Sequence, residues 1–312
     1  MPDDGRDLAI LVVNYGSSRL LQKNLIPLSA GLPSAVVVVV DNFSTRAERE
    51  RVSRLCGEHG WLCEPLTDNL GFGAGMNRAA AAAQQLGAQH LLLLNPDAEL
   101  TPENATRLLE AVRSDSRLAV APTVLRPDGS VWFGGAELYL DDGRIRSSGR
   151  HLADARTEPW LSGACIMIST RLWIEVGGFS DGYFLYWEDV DLSHRILKTG
   201  GRLEVSADAT AVHAEGGTQG VGAGSSGAPK SALYYFYNIR NRLLFASLHL
   251  DSVELRAWQR ETFAVAWEVL LEGGRRQLLR SPRPLIAAAR GVIAGLRIAR
   301  RELRARERRQ GS

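Results

Sequence analysis

Trp187-Glu188-Asp189-Val190-Asp191 places three carboxylates within four residues, directly behind Tyr183, Phe184 and Tyr186. Negative charge beside aromatic side chains is costly unless it is solvated, paired or working on a substrate. A carboxylate within hydrogen-bond reach of a hydroxyl can take its proton, a contribution of roughly 10²–10⁴-fold to a rate. Asn95-Pro96-Asp97 follows an apolar run, and a carboxylate in such a polar turn can hold a hard divalent cation together with diphosphate oxygens. His213 ends another strand-like segment and is a candidate ligand of the same kind. The stretch Asn69-Leu70-Gly71-Phe72-Gly73-Ala74-Gly75-Met76-Asn77 has glycine enough for backbone to approach a nucleotide. Its GxGxG spacing after a third strand is not the dinucleotide fingerprint, which needs GxGxxG after the first. The same glycines would equally suit the dihedrals of a tight helix start.

These residues need a scaffold, and the apolar pattern supplies one. Leu8–Asn14, Ala35–Val40, Trp61–Glu64 and His90–Leu94 read as strands, the long apolar runs among them as buried parallel ones. Helices are expected over 17–30, 45–58 and roughly 76–86, and another opens at Thr101-Pro102-Glu103, a cap followed by proline. The alternation predicts an α/β fold with a doubly wound, Rossmann-like, mostly parallel sheet over the first ~115 residues. In such sheets ligands bind outside the carboxyl ends of the strands, where Asn14, Asp41, Asn95 and Asp97 all fall. Short strands and loops follow over 119–160, then a strand over Ala164–Ser169 and a helix over Arg171–Val176. Next come a helix over Asp189–Thr199 and a strand over Glu204–Val212. Residues 215–229 read as a Gly/Ser-rich loop or lid. From about 230 the chain reads as helical. The expected division is a domain over 1–230, with a nucleotide-binding half to about 115 and an acceptor half beyond it, and a helical C-terminal region over 231–312.

With 312 residues, 45% hydrophobic and 23% charged, the composition is that of a soluble globular chain. Cys56, Cys63 and Cys165 form neither a disulfide framework nor a zinc pattern, which points to a reducing cytoplasm. No apolar run is long enough for a membrane span, and MPDDGRDLAILVVNYG is unlike a signal peptide. The net charge of +2 conceals twelve Arg against two Glu in residues 275–312. Apolar positions 286, 289, 293 and 296 recur among those arginines with helical spacing. Such a helix can lie on the anionic inner face of a membrane, or pack on its own domain or on a second subunit as a homodimer. Nothing in the pattern calls for nucleic acid.

Taken in order, LVVNYG, VVDNFS, NLGFGAGMN, LLNPD, WLSGACIMI, GGFSDGYFLYWEDVDLSHR and the His213 segment resemble the family 2 glycosyltransferases, and their rhamnosyltransferase-like branch in particular, over roughly 8–245. The resemblance implies a GT-A fold and an inverting transfer from a nucleoside-diphosphate sugar. Carried over by position, it implies Asp41 on the donor's base or ribose with Asn14 beside it, and Asn69, Gly71 and Asn77 lining the donor pocket. Asp97 matches the last acid of the DxD metal motif, whose first acid is Asn95 here. His213 would help to hold Mg²⁺ or Mn²⁺. Trp160, Ser162, Gly163 and Trp187 would shape the acceptor side. Asp189 matches the general base, Glu188 is its substitute, and Asp191 is expected as a first-turn helix acid. The implied donor is dTDP-L-rhamnose, with a UDP-hexose or another dTDP-deoxysugar as alternatives. The acceptor would be a polyprenyl-linked glycan or a soluble natural product. A nucleotidyltransferase would need a Gly-rich segment with a basic residue after the first strand, which is missing. A protein that binds nucleotide sugar without turnover is the reading from another class, which the Glu188-Asp189 pair and His213 disfavour.

Overall fold

The computed structural model describes residues 7–147, 155–213 and 230–310. Its strands are β1 (Leu8–Asn14), β2 (Val36–Asp41), β3 (Leu62–Pro65), β4 (His90–Leu94), β5 (Ala98–Leu100), β6 (Leu118–Leu125), β7 (Val131–Phe133), β8 (Ala136–Tyr139), β9 (Ile145–Ser147), β10 (Thr157–Trp160), β11 (Cys165–Ser169) and β12 (Arg202–His213). The unbroken Val/Leu runs of β1, β2 and β4 are buried almost throughout, as strands covered on both faces must be. β1 pairs in parallel with β2 and β4, and β2 with β3.

Beyond β4 the sheet changes character. β11 is inserted antiparallel between β4 and β6, β12 runs parallel to β6, and β5 pairs antiparallel with β12. The result is a nine-stranded mixed sheet in the order β3-β2-β1-β4-β11-β6-β12-β5, with β7 on β6. β10, β8 and β9 form a separate three-stranded sheet. The α/β alternation read from the sequence therefore describes the parallel half; the antiparallel insertion of β11 is set by long-range pairing that no local pattern carries.

Local signals place most helices. Thr101 accepts a hydrogen bond from the Asn104 amide at 3.2 Å, and Pro102 occupies the first helical position. The alanine-rich helix spans Phe72–Gln85, starting a turn earlier than its alanines suggest. Gly71 caps it with φ 90° and ψ 173°, a region open essentially to glycine alone. A Cβ at Gly71 would lie 2.2 Å from the Phe184 carbonyl oxygen, which accepts a hydrogen bond from the Phe72 amide at 3.0 Å. Backbone thus packs on backbone, and the glycine loop is joined to the segment leading into the carboxylate cluster.

Two compact units emerge. Residues 1–136, 159–184 and 188–220 contain the large sheet. The other unit, 137–158, 185–187 and 221–312, contains the C-terminal helices and draws two pieces from the middle of the chain. Within it, the Arg283–Gln310 helix packs on Ala232–His249 through small residues: a Cβ at Gly291 would lie 2.7 Å from the Phe236 carbonyl oxygen. The Arg242 guanidinium is buried against the face of Trp258 and donates to its carbonyl at 3.0 Å. The 215–229 stretch, expected as a loop or lid, lies outside the described residues. No helix among the described residues is long and apolar enough to cross a membrane.

Gly71→Ala combines a forbidden dihedral with a backbone clash and should cost about 2–4 kcal/mol of stability. Gly87 also has positive φ (85°), but nothing lies within 4 Å of an added Cβ. Gly87→Ala should cost only about 1 kcal/mol. Urea titration of both variants checks this; equal losses would show that the Phe184 contact contributes nothing.

Candidate active site

Asn14 and Asp41 sit opposite each other at the carboxyl ends of β1 and β2, both buried. Asn14 Oδ1 accepts from the Ser17 amide and hydroxyl at 3.1 and 2.9 Å, leaving its Nδ2 unpaired. Asp41 Oδ2 accepts from Arg49 Nε at 2.8 Å, while its Oδ1 has no partner. Arg49 lies over the Phe43 ring and also donates to the Leu66 carbonyl. The Ser44 hydroxyl oxygen, buried nearby in sequence, has no partner either. Each buried polar group left without a hydrogen bond costs about 1–3 kcal/mol. Three such atoms at or just beyond adjacent strand ends are what a polar ligand would satisfy.

The glycine loop has a different organisation from the one its sequence suggests. Asn42 Nδ2 donates to Asn69 Oδ1 and to the Gly71 carbonyl at 2.9 and 3.0 Å, and Asn42 Oδ1 accepts from the Leu70 amide. Asn69 Oδ1 also accepts from the Gly71 amide. Asn77 brackets Phe179, donating to its carbonyl and accepting from its amide, both at 2.8 Å. Asn69, Gly71 and Asn77 thus hold protein backbone. Gly71 meets the polypeptide itself, so the helix-start reading of that glycine prevails over a nucleotide approach.

At the end of β4, the Asn95 amide donates to the Ala164 carbonyl at 2.9 Å, and Asn24 holds the Pro96 carbonyl at 2.8 Å. Pairing of Ala98 with His213 brings the β12 end to this turn. His213 Nε2 and Asp97 Oδ1 are 3.0 Å apart, both side chains buried, with the Trp132 ring 4.6 Å from the imidazole. Among the described residues, the buried His213 Nδ1 has no partner. One imidazole and one carboxylate suit a divalent cation of the Mn²⁺ type. Among the described residues no third His, Cys, Asp or Glu joins them.

β11 carries this strand end to the carboxylate cluster. Gly163, just ahead of β11, donates its amide to Asp189 Oδ2 at 2.9 Å, and the Val190 amide donates to Oδ1 at 2.9 Å. Asp189 remains partly accessible, whereas Glu188 is 6% exposed and its Oε2 has no partner. Burial pushes both carboxyls up. Glu188 is driven well above the usual range, by burial first and by the Asp189 charge second. Asp189 is pushed up to about 6 by burial, restrained by the two amide hydrogen bonds. Asp191 has a third role. It is fully buried, accepts from Ser180 at 2.6 Å and pairs with Arg195, which also donates to the Gly178 carbonyl.

Around Asp189, Ser162 is buried and accepts from the Ala164 amide at 3.4 Å. A Cβ on Gly163 would come 3.5 Å from that of Asp189, an ordinary van der Waals contact. Trp160 is half-buried, 5.3 Å from the Phe133 ring, with its indole N–H unpartnered. Trp187 is the correction among the expected acceptor residues. It is 5% exposed and packs against Phe245 and Trp258 at 5.7 and 6.2 Å, in the core of the helical unit. Trp187 and Tyr186 both adopt positive φ (73° and 65°), a strained turn immediately before Glu188. Asn241 Nδ2 holds that turn by donating to the Leu185 and Tyr186 carbonyls at 2.9 and 2.7 Å.

A mixed sheet with polar groups gathered at its strand ends is the frame on which comparison with known proteins bears. The glycosyl transferase family 2 model matches residues 12–177, more than half of the chain, and the chain belongs to that family. It is a glycosyltransferase with a GT-A fold. It is 28% identical over 224 residues to the N-acetylglucosaminyl-diphospho-decaprenol L-rhamnosyltransferase of Mycobacterium tuberculosis, covering 62% of this chain and 71% of that one. It is 22% identical over 221 residues to rhamnosyltransferase WbbL of Escherichia coli, covering 65% and 82%. The crystal structure of GalNAc-T7 with UDP, GalNAc and Mn²⁺ superposes with a TM-score of 0.55 at 16% identity, over 82% of this chain and about half (54%) of that one.

A base must be ionised to accept a proton, so activity should fall as pH drops through the Asp189 value. The pH profile of kcat/KM should show an acidic limb near 6. A limb near 4, the ordinary carboxylate value, would mean that the working base is not this buried group.

Proposed function

We propose that the chain is an inverting transferase that moves L-rhamnose from dTDP-L-rhamnose to a hydroxyl of a polyprenyl-diphosphate-linked glycan, with Asp189 as the base. The observation that carries the reading is the partly accessible Asp189 carboxylate, held by the Gly163 and Val190 amides, beside a buried Glu188 whose carboxyl burial pushes well above the usual range. Environments that separate the titration of adjacent acids commonly mark an acid/base assignment. The two relatives support the rhamnosyl donor and the polyprenyl acceptor, one of them being named for a diphospho-decaprenol acceptor.

Asn14, Asp41 and Ser44 offer the donor's nucleoside the unpaired Nδ2, Oδ1 and hydroxyl of the β1 and β2 ends. Asp97 and His213 would hold a divalent cation, which when bound offsets the charge gathering on the departing diphosphate. Asp189 Oδ2, oriented by Gly163, takes the acceptor's hydroxyl proton as its oxygen bonds to the anomeric carbon and the bond to diphosphate breaks. A single displacement of this kind inverts the anomeric configuration. Trp160 and the small Ser162-Gly163 pair leave a place for the acceptor sugar beside the base.

The test is thermal stabilisation by nucleotide sugars with and without Mn²⁺, followed by transfer to a polyprenyl-diphosphate-linked glycan. A donor at about a hundredfold excess over its Kd should add about 2.7 kcal/mol. dTDP-L-rhamnose should stabilise most, and Asp97→Ala should remove the Mn²⁺-dependent part. Preference for a UDP-hexose would replace the donor assignment. An Asp97→Ala protein that responds to Mn²⁺ as the parent does would remove Asp97 from the metal site.

A further inference from the structure

Much of the outer face of the C-terminal helix is exposed among the described residues, with Arg290 lying over the Phe236 ring. In Arg283–Gln310, the inner face is made of Ala287, Ala288, Gly291, Val292, Gly295 and Ala299, all buried. Ile286, Ala289, Arg290, Ile293, Arg297, Arg300 and Arg304 follow one another at three-, four- and seven-residue steps and share the opposite, exposed face. Ile286 and Ile293 are 54% and 49% exposed. Leu296, expected on the same stripe, instead packs inward against the cluster of Tyr235 and Ile239.

Charge on this face is also unmatched. Glu302 is engaged by Arg306, and Glu307 by Arg256. Among the described residues, Arg297, Arg300 and Arg301 have no carboxylate partner and are exposed. In the same unit, the Thr262–Leu271 helix turns Ala266 and Leu270 into the core but leaves Phe263 and Trp267, four residues apart, 70% and 51% exposed. Leu279, between the two helices in sequence, is almost wholly exposed. Exposed isoleucines among arginines on one helix face, with exposed aromatic side chains on a second helix of the same unit, match the composition of a segment lying in a lipid interface, with apolar groups in the acyl boundary and Arg at the headgroups. A neutral protein partner would leave the arginines unsatisfied.

We propose that this unit docks on the surface of an anionic lipid bilayer, through the Ile286–Arg304 face with Phe263 and Trp267 as apolar anchors. The inference deepens the reading of a polyprenyl-linked acceptor: docking would hold the enzyme where such an acceptor resides. It requires no membrane-spanning segment.

The experiment is flotation of the full chain with vesicles of phosphatidylcholine alone and of phosphatidylcholine mixed with phosphatidylglycerol, at low and high salt. Parent protein should float with the mixed vesicles, less so at high salt, and stay behind with phosphatidylcholine. An Arg297→Gln/Arg300→Gln/Arg301→Gln variant loses three surface charges, each worth about fivefold near an anionic surface, and should bind roughly a hundredfold more weakly. Phe263→Ser/Trp267→Ser should also weaken flotation, while both variants keep the parent's thermal midpoint and its transfer to a water-soluble acceptor. Parent-like flotation of the arginine variant overturns the proposal. So does a parent that never floats but sediments as a dimer, which these substitutions convert to monomer. A chain that floats as expected yet transfers no sugar from any donor would leave docking intact and refute the catalytic reading instead.

Discussion

The hydrogen bond from the Gly163 amide fixes the position of the Asp189 carboxylate, the base of the proposed reaction. Gly163 precedes β11, and β11 is the strand that enters antiparallel beside β4. The same ladder joins the Asn95 amide to the Ala164 carbonyl, so the Asp97 turn and the Asp189 carboxylate are both anchored to one short piece of backbone. From the other side, Gly71 lies against the Phe184 carbonyl and Asn77 brackets Phe179, which fixes the segment running toward the cluster. A looser attachment at either contact would move the carboxylate by a distance that matters, since a 1 Å misplacement can cost about a hundredfold in rate.

Electrostatics then separates three neighbouring acids. Asp191 is cancelled by Arg195 and serves the fold. Glu188 is buried, and burial together with the Asp189 charge pushes its carboxyl well above the usual range. Asp189 receives two amide hydrogen bonds and keeps contact with solvent, so it alone combines charge with access. The strained Tyr186-Trp187 turn ahead of them is stabilised by Asn241 and by the burial of Trp187 among Phe245 and Trp258. Strain of about 1–3 kcal/mol per residue persists only where the surroundings over-determine it.

Much of this was legible in residue order. Apolar runs ending in Asn14, Asp41 and Asn95 gave away the buried strands and their polar ends, because β1, β2 and β4 are continuous and local. Illegible were contacts between residues far apart in sequence. Nothing near Asp41 marks Arg49 as its partner except helical spacing after the strand, and nothing near Asn77 announces Phe179, 102 residues on. The Trp132 stack on His213 depends on β7 folding back onto β6. Trp187 looked like a sugar-facing aromatic because it adjoins the acids; its positive φ turns it instead into the helical core, and a backbone dihedral of this kind is invisible in a non-glycine residue. The glycine loop misled for the opposite reason: glycines that admit a phosphate and glycines that admit a carbonyl share one composition.

The division of labour between Asp189 and Glu188 is the claim on which the mechanism stands. Single-turnover transfer by Asp189→Asn and Glu188→Gln, with donor affinity measured on the same proteins, tests it most directly. Asp189→Asn should lose roughly 10²–10⁴-fold in transfer rate with donor binding unchanged. Glu188→Gln keeps the shape of a buried side chain that is not the proposed base and should retain most of the rate. Near-normal transfer by Asp189→Asn together with collapse of Glu188→Gln would contradict the assignment and move the base to Glu188.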